Sequence, residues 1–118
     1  MNVQTQTKQT HWATSSHSIE CMRNDVAAFV ERWIDLVGTP QTRGDVRRLM
    51  RRALEKVVDK EQVDAFCILF VLNAVREYAI EKWIDSPYSK DDDSDLKAYC
   101  KMVHRIENDI YEEYISEH

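Results

Sequence analysis

Two arginine doublets stand within the stretch GDVRRLMRRALEK, Gly44 to Lys56. On a helix, Arg48, Arg52 and Lys56 follow four-residue steps along one face, with Arg51 beside them and Arg47 at the edge of the apolar side. Such a strip can hold phosphates or an acidic protein surface. It can equally pair with carboxylates of its own chain. From residue 42 to 60 there are seven Lys or Arg against three Asp or Glu, a balance of +4, and from 81 to 118 five against eleven, a balance of −6. The whole chain carries −5, with a sequence pI near 5.3, where a nucleic-acid binder is usually strongly basic. No aromatic residue is interleaved among the arginines to stack a base. A protein is therefore the expected partner, and nucleic acid the lesser alternative.

Histidine and cysteine also recur at a spacing with chemical meaning. His17 and Cys21 are four residues apart, as are Cys100 and His104. Each pair would share one helix face, and together they could surround a tetrahedral zinc ion. His17 and Cys21, however, project away from the apolar stripe of Met22, Val26 and Trp33, so a shared site would need a rotated first helix or a second copy. No metal and no cofactor is expected. The acidic run Asp91, Asp92, Asp93 and Asp95 fails as a calcium loop, because Leu96 and Met102 stand where glycine and glutamate are required. Those carboxylates read instead as the neutralised start of a helix.

Nothing converges for catalysis. The chain has no ExxH or HExxH motif, no glycine-rich phosphate loop and no GxSxG elbow. Adjacent carboxylates such as Glu112 and Glu113 would point roughly 100° apart on a helix. The expectation is a protein that is not an enzyme.

The elements that position these residues read as helices. The 118 residues suit one domain, and two glycines with two prolines are too few turn residues for a many-stranded sandwich or barrel. Ile19, Met22, Val26, Phe29, Val30, Trp33 and Val37 form a stripe that predicts a first helix over 18–37, stopped by Gly38, Thr39 and Pro40. Val46, Leu49, Met50, Ala53, Leu54 and Val57 predict a second over 42–57. A capping box at Asp59 and Gln62 predicts a third starting near Lys60 and running to Asp85. Its run AFCILFVL, Ala65 to Leu72, is apolar all round, which places it centrally and makes Phe66 and Leu69 core residues. Leu96, Tyr99, Val103, Ile106, Ile110 and Tyr114 predict a fourth helix over 92–116.

Short connections then give an all-α, compact four-helix bundle over 17–118, preceded by a flexible polar N-terminal tail over 1–16. Met102, Tyr111 and Ile115, with Ile34 and Leu36, lie off the main stripes and could form a homodimer seam. The leading segment lacks the apolar core of a secretory signal, eight apolar residues cannot span a bilayer, and three cysteines fit no disulfide framework. A cytoplasmic protein with no membrane partner is expected. By elimination, the sequence points to a small helical protein-interaction module: an adaptor, regulator or inhibitor acting by binding another protein. Its size and polar leader would suit an accessory factor of a virus or mobile element. The alternative is a nucleic-acid-binding regulator that uses the arginine face of the second helix.

Overall fold

A computed structural model describes residues 3–58, 64–89 and 93–117, with the backbone alone for residues 3–18. Four helices follow one another: α1 (Val3–Val37), α2 (Arg43–Val57), α3 (Ala65–Ile84) and α4 (Asp93–Glu117). No strand occurs among the described residues. The chain is an all-α bundle, and the chemistry of its helix ends explains most of the boundaries.

Gly38 takes φ 106°, a conformation that side chains resist, and its amide donates to the Ile34 carbonyl at 2.8 Å to close α1. Thr42 and Asp45 then cap α2 reciprocally. The threonine hydroxyl accepts from the Asp45 amide (3.2 Å), and the carboxylate accepts from the Thr42 amide (3.3 Å). These bonds, with a further one from the Gln41 amide, hold the Asp45 carboxyl below its ordinary range against the opposing effect of desolvation. Asp93 and Asp95 occupy the first turn of α4, where carboxylates oppose the positive helix end.

Two boundaries differ from those read in the sequence. α1 begins at Val3 rather than near Ser18, since no glycine or proline before Gly38 interrupts it. α3 begins at Ala65 rather than Lys60. Asp64 is extended (φ −139°, ψ 165°) and its carboxylate accepts from the Cys67 amide at 2.8 Å, so this aspartate caps the helix. The box at Asp59 and Gln62 lies outside the described residues.

α1 packs on α2 and α3, and α4 packs on the same two helices, so α1 and α4 take opposite corners. Between them lies a core of Val26 and Val30 from α1, Val46, Leu49 and Met50 from α2, Ile68, Val71, Leu72 and Val75 from α3, and Val103, Ile106 and Ile110 from α4. Each large side chain withdrawn from water is worth roughly 1.5–3 kcal/mol. α3 is central, but it is not covered all round. Its neighbours meet the line Ile68, Val71, Leu72, Val75 and Ala79, which leaves Phe66 58% and Leu69 39% exposed. The expected core role of those two residues is therefore corrected. Phe66 stacks on its helical neighbour Phe70 instead, with ring centroids 6.1 Å apart.

At one end of the bundle, three elements meet through one phenol. The Tyr99 ring lies flat on Trp83, centroids 4.6 Å apart, and its hydroxyl donates to the Pro40 carbonyl at 2.7 Å. Burial pushes the Tyr99 phenol above its ordinary range. This clasp joins α4 and α3 to the connection between α1 and α2. Of the leftover apolar residues, Ile34, Met102 and Tyr111 pack partly against the core, while Leu36 and Ile115 are exposed. Among the described residues no helix is long and apolar enough to cross a membrane.

Candidate functional site: a cationic groove between two helices

The five basic residues singled out in α2 do not act as one strip. Arg47 and Arg51 lie on the flank of α2 that meets α4. Arg47 reaches Glu113 at 2.9 Å and Asp109 at 3.8 Å, and Arg51 pairs with the same Glu113. Two of the five cations are thus engaged with the acidic end of α4. Arg48 and Arg52 sit one residue further round the helix, on the flank that meets α1. Their ionic contacts are local, to Asp45 at 3.6 Å and Glu55 at 3.3 Å within α2, and both side chains stay more than half exposed. Surface pairs of this kind contribute little and exchange readily for a partner's carboxylates.

Arg48 and Arg52 face aromatic company that the sequence around them does not contain. Phe29 and Trp33, one turn apart on α1, form a tilted pair with centroids 5.9 Å apart, and both are half-buried. With Arg48, Arg52, Glu55 and Lys56 they line an open groove between α1 and α2. Its floor is aromatic and its rim cationic. A guanidinium beside an indole can share a ligand carboxylate while stacking on the ring, and the apolar floor accepts a large side chain. The expectation that no aromatic accompanies the arginines holds along α2 only. The missed signal is the Phe29–Trp33 spacing, together with a connection too short to separate α1 from α2.

The four residues weighed as zinc ligands fall on helices at opposite corners. Cys21 is an exposed residue of α1, whereas Cys100 and His104 belong to α4, and the side chain of His17 is outside the described residues. Burial is incomplete at Cys100, and His104 is exposed. Among the described residues, no group of three or more His, Cys, Asp or Glu could hold a metal ion.

No protein-family model matches this chain, and no curated protein or solved structure matches it either. The functional reading therefore rests on the chain's own residues.

One further cluster was hidden in the apolar pattern. Glu107 of α4 is 1% exposed, the one charged side chain buried among the described residues. Arg76 of α3 places Nη1 3.0 Å from its Oε1, and His104 Nδ1 stands 3.5 Å from the same oxygen. The charges are close, yet no N–H is aligned on Oε1, which is left without a hydrogen bond. Arg76 Nη1 lies 2.9 Å from His104 Nδ1. An arginine can only donate, so the ring nitrogen is the acceptor in this contact. Burial raises the Glu107 carboxyl above its ordinary range, with Arg76 and His104 opposing and Glu77 adding to the rise. Glu107 falls four residues after Val103 and three before Ile110, squarely on the core stripe. That position was its signal in the sequence.

Proposed function

We propose that this chain is a protein-interaction module whose α1–α2 groove holds a partner segment carrying carboxylates next to a large apolar side chain. The supporting observation is the division of labour among the arginines. Arg47 and Arg51 are engaged by Glu113, while Arg48, Arg52 and Lys56 face Phe29 and Trp33 across an open groove. Carboxylates of the partner replace the local contacts to Asp45 and Glu55, and an aromatic or aliphatic residue covers the Phe29–Trp33 pair. Interfaces concentrate their energy on arginine and aromatic anchors of this kind. Acting as an adaptor, regulator or inhibitor in the cytoplasm, the protein would need no chemistry of its own.

The reading is tested by selecting peptides from a displayed random library on the intact protein. Peptides that combine Asp or Glu with Trp, Phe or Leu should be enriched. Their binding should be lost in Trp33→Ala and in the double reversal R48E/R52E, with the helical circular dichroism unchanged. Enrichment that survives both variants would place binding elsewhere. The same aromatic and basic side chains could stack and neutralise a single-stranded oligonucleotide. Tight oligonucleotide binding, falling steeply with salt as released counterions require, would replace the protein partner by nucleic acid.

A further inference from the structure

We infer that the outer face of α4 pairs with the same face of a second copy, antiparallel, in a register fixed by Lys101 and Glu112. α4 turns Tyr99, Val103, Ile106 and Ile110 into the core. On its opposite side run Ala98, Lys101, Arg105, Asn108, Glu112 and Ile115, all exposed. Their alternating steps of three and four residues are those of a helix–helix seam. The seam is about 26 Å long at about 1.5 Å per residue.

The charges along this face are ordered. Lys101 and Arg105 stand in its first half and Glu112 in its second, and none of the three has an ion-pair partner among the described residues. Laid antiparallel on its own copy, the face complements itself. Lys101 meets Glu112 of the partner subunit, and the symmetry repeats that contact. In the same register Arg105 meets Asn108 of the partner subunit, one residue from Asp109 of the partner subunit. Ile115, 41% exposed, covers Ala98 of the partner subunit at both ends.

Other registers are poorer. Sliding the copy one heptad one way sets Lys101 against Arg105 of the partner subunit, two like charges. Sliding it the other way sets Arg105 against Ile115 of the partner subunit and leaves Glu112 without a cation. Like-charge contact is an effective device against the wrong alignment. An open groove flanked by Arg43 and lined by Ala98, Lys101, Met102 and Arg105 follows this face, so nothing among the described residues covers it. The seam is separate from the α1–α2 groove, because α1 and α4 stand at opposite corners of the bundle. A mostly polar seam of this length gives a weak, salt-sensitive dimer rather than an obligate one.

Sedimentation equilibrium of the full chain, from micromolar to submillimolar concentration, is the test. The wild type should dimerise, and salt should weaken the dimer. K101E and E112K should each weaken dimerisation by about tenfold, since each turns two attractive contacts into repulsive ones. The combined variant K101E/E112K should recover the wild-type constant, because the two charges have only exchanged places. R48E/R52E should leave it unchanged, which separates the seam from the groove. A monomer at every concentration overturns the inference. So do single reversals without effect, or a double variant that fails to recover.

Discussion

Removing Arg76 and neutralising Glu107 should have opposite consequences, although each deletes the same ion pair. In Arg76→Ala the carboxylate keeps its place, 1% exposed, with only His104 within reach. Breaking a fully buried pair in this way costs about 3–5 kcal/mol, because it strands a charge. The Arg76 side chain is itself 26% exposed, so a smaller loss of about 2–3 kcal/mol is expected. Glu107→Gln preserves the shape and withdraws the charge that burial opposes. It should stay within about 1 kcal/mol of the wild type and could be the more stable protein.

Acid should separate the two variants further. Burial raises the folded-state pKa of Glu107, so the folded chain holds this proton more firmly than the unfolded one. Stability from the group is complete below the unfolded carboxyl value and is lost as pH rises through the folded one. Without Arg76 the folded value climbs further, and more stability is lost at neutral pH. Urea unfolding, followed by circular dichroism from neutral to mildly acidic pH, should show the Arg76→Ala deficit shrinking as pH falls. Glu107→Gln should lack this component of the pH dependence. Equal losses in the two variants, or a deficit independent of pH, would refute a charge stranded by burial.

The core and the caps give simpler expectations. Leu72→Ala and Ile110→Ala should each cost about 2–5 kcal/mol in urea unfolding, whereas Phe66→Ala and Leu69→Ala should cost about 1 kcal/mol or less, since those side chains already face water. Thr42→Ala should lose about 1 kcal/mol with the cap of α2. Gly38→Ala should lose about 1–2 kcal/mol by forcing a side chain to φ 106°, although open space surrounds the position. Reversing Arg48 and Arg52 should leave the melting transition within about 1 kcal/mol of the wild type, as exposed positions usually do.

Helix content and the helix boundaries other than the starts of α1 and α3 were legible because they depend on local patterns. Gly38 with Pro40 acts within a few residues, and the apolar stripes of α2 and α4 place their bounds to within one residue. The start of α3 differs because two aspartates compete as caps five positions apart, and only the extended backbone at Asp64 decides between them. What the sequence could not show is which neighbour each flank of a helix meets. Arg47 and Arg48 are adjacent in sequence, yet one is held by Glu113 and the other borders Trp33. Helical periodicity gives an angle around one axis and nothing about the next axis. The apolar run of α3 misled for a related reason. Hydrophobicity on every side predicted neighbours on every side, but three helices leave one line, at Phe66 and Leu69, open.

The positions of Trp33 and Trp83 also give the protein two separate optical channels. Trp83 is sealed against Tyr99, 7% exposed, so its emission should stay blue-shifted until the bundle unfolds. Trp33 sits half-open in the groove beside Arg48, where an arriving carboxylate or ring changes its surroundings directly. With Trp12 and Trp83 replaced by phenylalanine, a shift in the remaining emission would follow occupancy of the groove alone. With Trp12 and Trp33 replaced, the signal would follow closure of the Trp83–Tyr99 clasp on Pro40. Association and folding could then be timed independently in one chain, without an attached dye.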